Sequence, residues 1–193
     1  MSVFGQQVVR AKQSGDSPTA RSPLRPGCVR SARRTPVAAT FTVTLDGATL
    51  RRGFWLYVWE ITTPNGDKVL YVGRTGDSSS PNAQSLFNRM GQNLGTLSTS
   101  SMVRNNLKKR GVDPVECKFR MVGHGPVFDE PAPKTMDAHK PLRDQVAALE
   151  RGLAEDLEAA GYDVMNTVRS RAVLDEALYE QVRIAFAEEL PGL

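Results

Sequence analysis

Glu150 is a carboxylate on the apolar side of its own helix. The stretch from about His139 to Ala160 repeats Leu142, Val146, Leu149, Leu153 and Leu157 at helical spacing, with Asp144, Arg151, Glu155 and Glu158 turned away from that stripe. Glu150 follows Val146 by four residues and precedes Leu153 by three, so it falls with the stripe. An unpaired carboxylate there is costly and calls for a cation, a metal or a cleft. Arg89 offers the complementary group, an always-charged fork that fits phosphate or carboxylate oxygens, and Asn93 follows it by one helical turn. Hydrolysis of a phosphodiester needs a deprotonated water, neutralisation of charge on the phosphate oxygens and help for the departing 3′ oxygen. Glu150 can hold Mg²⁺ or Mn²⁺ as a hard oxygen ligand, and Arg89 can bind the phosphate and stabilise the charge that builds on it. A structural Arg89–Glu150 ion pair competes with this reading, because it satisfies Glu150 without a metal.

The elements that must position these groups start with a hairpin. Phe54 to Trp59 and Val69 to Gly73 are apolar, β-branched and aromatic runs, and each carries one tyrosine, Tyr57 and Tyr71. Between them, Thr63-Pro64-Asn65-Gly66-Asp67 supplies the preset φ of proline and the positive-φ position a reversal needs. Both tyrosines also fit as amphipathic strand residues with no further role. After Gly73, residues 74–82 read as a loop, and a helix follows over about Ala83 to Asn93 with Leu86, Met90 and Leu94 on its apolar side. A second helix, about Ser101 to Arg110, carries Arg104, Lys108 and Lys109 and ends at Gly111. Arg74, Arg104 and Lys108 are candidates for phosphate contact, and a solvated face is the alternative for the helix.

Phe41, Val43 and Leu45 alternate with threonines and predict a strand, as do residues 115–122. The proline-containing stretch from His124 to Asp137 reads as a long loop able to form part of a substrate rim. Tyr162 to Thr167 is a short extended segment, and Leu174 to Leu190 a terminal helix. His124 and His139 stand far apart without companion ligands and receive no metal role.

Composition bounds the rest. Residues 1–40 hold seven basic residues against Asp16 alone, whereas the whole chain carries only +4, so positive charge belongs to this arm and the remainder is net negative. With Pro18, Pro23, Pro26 and Pro36 among Ser, Thr and Arg, the arm reads as unstructured. It fits a phosphate-contacting arm, an acid-poor targeting peptide or a solvated extension. Residues 41–193 then form one domain. Cys28 and Cys117 make no spaced pair, and no apolar run approaches the roughly 20 residues of a membrane-spanning helix, which together predict a reduced, soluble, cytoplasmic protein.

With Tyr57, Tyr71-Val72-Gly73, Arg89, Glu150 and Asn166 placed, the region from Phe54 to Thr167 resembles the GIY-YIG nuclease superfamily. Leu56-Tyr57 stands at the first signature, with Trp55 where the family has glycine, and Tyr71-Val72-Gly73 at the second. The resemblance implies an α+β fold with a small central antiparallel β-sheet flanked by helices, Mg²⁺-dependent cleavage of DNA, and catalytic roles for Tyr57, Tyr71, Arg89 and Glu150. Tyr57 would act as a base or a water-orienting hydroxyl, with Tyr71 hydrogen-bonding beside it. As a base it faces a mismatch of about three pKa units, roughly 4 kcal/mol, which a metal and Arg89 would have to lower. Gly73, Asn93 and Asn166 are supporting positions, Asn166 as an orienter of Glu150 or of the long helix's end, or simply as a turn residue. Asn93 stands where the family often has histidine, and asparagine cannot act as a base. A catalytically inactive nucleic-acid-binding or regulatory module on the same scaffold is the alternative. For both tyrosines to serve one site they must share a face, which demands paired residues whose numbers sum to an even value and an odd-length loop or a bulge around Pro64 to Asp67.

Overall fold

The computed structural model describes residues 38–193, and the expectation of an unstructured arm falls almost entirely outside them. The body is α+β, a three-stranded antiparallel sheet of order β2-β1-β3 between two helical layers, with four α-helices among the described residues. The strands are β1 (Gly53–Thr62), β2 (Lys68–Arg74) and β3 (Lys118–Asp129); the helices are α1 (Leu86–Leu94), α2 (Met102–Lys109), α3 (Met136–Ala159) and α4 (Glu176–Ala187).

The hairpin turn sets everything downstream. Thr63 N donates to Asp67 O at 2.9 Å and Gly66 N to Thr63 O at 3.0 Å, so Pro64-Asn65-Gly66 forms a three-residue loop with Gly66 at φ +90°. An odd loop gives the required parity: Tyr57 pairs with Gly73 and Trp59 with Tyr71, so both tyrosines emerge on one face, as diagonal neighbours instead of a directly facing pair. Gly73 is a glycine because Tyr57 lies over it. A Cβ built there would sit 2.4 Å from the Tyr57 Cζ and Oη.

β1 is the central strand and is buried on both faces, which explains its continuous apolar run. Trp55, Tyr57, Trp59 and Ile61 pack with Val69 and Tyr71 under Leu86, Val103 and Leu107 of α1 and α2. Phe54, Leu56, Val58, Leu70 and Val72 pack under Val146, Leu149, Leu153 and Leu157 of α3 and Val182 and Phe186 of α4. Side-chain caps open three of the helices: Ser85, Thr135 and Asp175 accept from Asn88 N, Ala138 N and Leu178 N at the starts of α1, α3 and α4.

Three expectations change. Phe41, Val43 and Leu45 form no strand and stand exposed, because no neighbouring strand among the described residues takes their backbone groups. The third strand begins at Lys118, after a 3₁₀ turn at Pro114–Glu116, and continues to Asp129 through what reads as loop. It passes Pro126 by a bulge opposite the Phe54–Leu56 step, the kind of position a strand proline tolerates. α3 begins at Met136, not His139, and takes in Pro141 on its exposed side, where the Asp137 carbonyl it leaves free can turn to water.

Two glycines on either side of the hairpin–α1 connection respond in opposite directions. Gly73→Ala is expected to destabilise by about 1–3 kcal/mol in denaturant unfolding, because the ring over it is packed and cannot withdraw. Gly91→Ala on the open side of α1, where nothing lies within 4 Å, is expected to stabilise by up to about 1 kcal/mol. Tolerance of Gly73→Ala would contradict the placement of Tyr57.

Candidate active site

The sequence-predicted residues meet at the C-terminal end of β2, approached from both faces of the sheet. Tyr57 (β1), Tyr71 (β2) and Arg89 (α1) come from the α1/α2 side, and Glu150 (α3) from the other. Residue parity explains the wrap: Tyr71 and Gly73 point one way, and Arg74, one step further, points toward α3.

Arg74 Nη1 donates to Glu150 Oε2 at 2.8 Å, and Arg89 pairs with Asp77. The competing reading, a structural Arg89–Glu150 ion pair, gives way to two crossed pairs, with Arg74 as the partner of Glu150. The segment from Arg74 to Asp77, where β2 runs out, is tightly held. Thr75 N donates to Trp55 O, Thr75 Oγ1 accepts from Trp55 N and donates to Gly53 O, and the buried His139 ring donates from Nε2 to Gly76 O at 2.9 Å. Arg74 and Arg89 each keep a buried Nε–H with no hydrogen-bond partner among the described residues, so both guanidinia hold desolvated donor capacity in reserve.

Burial dominates the titrations. It raises the Tyr57 phenol well above its ordinary value, with Tyr71 adding to the rise, while Arg89 and Asn93 pull the other way and are outweighed. Tyr71 is pushed up to about 12 by burial first and then by Glu150. The lowering expected from Arg89 is present in direction only. Asn93 Nδ2 donates to Tyr57 Oη at 3.0 Å, which leaves the phenol proton free to be donated elsewhere. Burial works against the Arg89 charge, but Tyr57, Asp77 and Tyr71 overcome it and hold the guanidinium more firmly protonated than usual. Glu150 is pushed up to about 7 by burial; Arg74 and Arg89 oppose that rise and Asp77 adds to it. Glu130 behaves in the opposite way. Clasped by Arg52 through two hydrogen bonds of 3.0 and 2.8 Å, and reached by Lys134 and by Ala83 N, it is held down at about 2 and ties β1, the end of β3 and the approach to α1 together. One carboxylate is saturated with partners; the other is poised near neutrality.

Asn166 does not reach Glu150. Its Nδ2 donates to Val72 O at 2.8 Å and its Oδ1 accepts from Val72 N at 3.0 Å. With Leu70 N donating to Asp163 O and Met165 N to Leu70 O, the segment lies along the outer edge of β2 and orders the backbone between Tyr71 and Gly73. Arg104 and Lys108 stand on α2, outside the cluster and without ion-pair partners among the described residues.

A cleft of about 500 Å³ adjoins the cluster, and its wall includes Arg74, Asp77, Arg143, Asp144, Arg169 and Arg171. Arg143, Arg169 and Arg171 are not among the residues the sequence brings forward. The Arg-Ser-Arg run just past Asn166 was the available signal, silent until the fold carries it next to Arg74. Among the described residues no three His, Cys, Asp or Glu side chains gather as a ready metal cage. Glu150 with Asp77 nonetheless fits the one or two carboxylates with which proteins hold Mg²⁺ alongside substrate phosphate and water, and Oε1 of Glu150 accepts no hydrogen bond from the described residues. Among those residues no helix is long and apolar enough to cross a membrane. Comparison with protein-family models, curated proteins and solved structures gives no match.

Glu150 is expected to titrate near 7 in the folded protein, followed through its side-chain carboxyl ¹³C resonance. Arg74→Gln should move that titration to higher pH and Asp77→Asn to lower pH, since the first neighbour favours the carboxylate and the second opposes it. Between the ordinary value of 4.5 and about 7 the folded state keeps a proton the unfolded chain has released. This group's contribution to stability therefore falls as pH rises through that window, and Glu150→Gln should abolish the fall. A midpoint close to 4.5, unmoved by either substitution, would refute this electrostatic picture.

Proposed function

We propose that this chain is a metal-dependent endonuclease of the GIY-YIG type, acting in the cytoplasm on DNA phosphodiester bonds. The observation that carries the reading is the meeting of Tyr57, Tyr71, Arg89 and Glu150, from four different elements, around the end of β2. Arg89, held by Asp77, presents a charged fork to phosphate oxygens and stabilises the negative charge that grows on them as water attacks phosphorus and the P–O3′ bond breaks. Tyr57 and Tyr71 hold their protons firmly and so act as hydroxyl donors that orient water and phosphate, not as bases at neutral pH. Glu150 and Asp77 would hold Mg²⁺, which lowers the pKa of bound water and polarises the phosphate when present. Ionised Glu150 is the form that binds a cation, so cleavage should rise with pH through about 7.

The second reading is a catalytically silent DNA-binding or regulatory module. It is favoured by Glu150 being already engaged by Arg74 and by Asn93 standing beside Tyr57, where no proton can be taken up.

Plasmid cleavage with Mg²⁺ separates the two. Wild type is expected to nick supercoiled DNA, and Glu150→Ala and Arg89→Ala to lose at least about 100-fold in rate. Equal activity in wild type and Glu150→Ala would sink the nuclease assignment. Salt-dependent retention of DNA without cleavage would favour the silent module.

A further inference from the structure

Resting on that reading, we propose that Arg143, Arg169 and Arg171 form a second phosphate clamp, which grips the backbone of the substrate strand beside the bond held at Arg89 and Glu150. The cleft they line is continuous with the site because Arg74 and Asp77 belong to both. Its wall carries four arginines against two aspartates, although the folded body as a whole is net negative. Positive charge is thus concentrated where the cluster opens. Arg143 is steadied by Asp144, with contacts of 3.2 and 3.1 Å, while Arg169 and Arg171 are exposed and have no ion-pair partner among the described residues.

The segment bearing Arg169 and Arg171 is anchored. Asn166 fastens its start to Val72, Arg151 Nη1 donates to Ser170 O at 2.8 Å, and Ala172 N donates to Ser170 Oγ at 3.2 Å. Ser170 and Ala172 keep the floor of the cleft small-sided, and at about 500 Å³ it is larger than a single phosphate requires. Guanidinia on a fixed backbone beside an open cleft suit a phosphodiester chain, which presents one negative charge after another and needs no recognition of base identity.

Fluorescence anisotropy of a labelled duplex in EDTA, as a function of salt, tests the clamp without requiring turnover. Arg169→Gln/Arg171→Gln is expected to bind about tenfold more weakly at low salt. The slope of log affinity against log salt should fall by about 2, similarly for unrelated sequences. In cleavage assays the same variant should raise KM with little change in kcat. Lys68→Gln/Lys118→Gln, which removes equal charge at the turn end of the sheet, should leave the slope unchanged. Circular dichroism and the thermal midpoint establish that both variants are folded. Wild-type affinity and slope in Arg169→Gln/Arg171→Gln, or no DNA binding by wild type, would overturn the clamp. So would loss of inorganic phosphate binding, followed by ³¹P resonance, with DNA binding intact, since that would mark a small-anion site. The clamp and the chemistry fail separately: DNA binding that depends on these arginines without cleavage keeps the clamp and removes the nuclease, whereas cleavage that is lost in Glu150→Ala but indifferent to the arginines does the reverse.

Discussion

The parity of one hairpin governs the molecule. A three-residue turn, with Gly66 in the left-handed region, pairs Tyr57 with Gly73 and sends Tyr57, Tyr71 and Gly73 to one face and Arg74 to the other. An even-length turn would put the two phenols on opposite sides of the sheet and separate Tyr57 from the glycine it needs beneath it. Once this register is fixed, α1 can reach the site only from the side of the tyrosines and α3 only from the side of Arg74. The site is consequently assembled around a strand end and not within one layer.

Its electrostatics follow from unequal provision. Glu130 has two cationic partners and a backbone amide, which hold its carboxyl well below the ordinary range, so it serves as a rivet. Glu150 has a single arginine and a buried setting, and Asp77 nearby disfavours a second negative charge. Such a carboxylate gains from any further cation that enters. The guanidinia answer in kind: each is tied by one acid and retains a buried donor unspent.

What the sequence disclosed was mostly local. The hairpin, the three inner helices and the odd position of Glu150 on its leucine stripe each depend on periodicity or turn chemistry within a few residues. The α+β arrangement was what the resemblance implied, and the structure has it. Pairings across the fold were hidden. Nothing within the linear sequence distinguishes Arg74 from Arg89 as the partner of Glu150, because the choice depends on which face each side chain leaves. Asp77 lay in a run of loop residues and showed its importance only when placed between Arg89 and Glu150. Alternation misled at Phe41 to Leu45, since a strand pattern has no force without an edge to pair with. Gly125 and Pro126 concealed the far half of β3, which crosses them by a bulge.

The side chain of Asn166 also acts on the edge of the sheet. By offering one acceptor and one donor to Val72, its side chain imitates a residue of a neighbouring strand, and with the Leu70 bonds on either side it fills the outer edge of β2. β3, by contrast, has β1 as its only strand neighbour among the described residues. The sheet is therefore filled along the edge beside the cluster, whereas the remote edge, along β3, carries no further strand among the described residues. Any strand that joins it, from another chain or another copy, has only the remote edge to occupy and leaves the cluster at the end of β2 undisturbed.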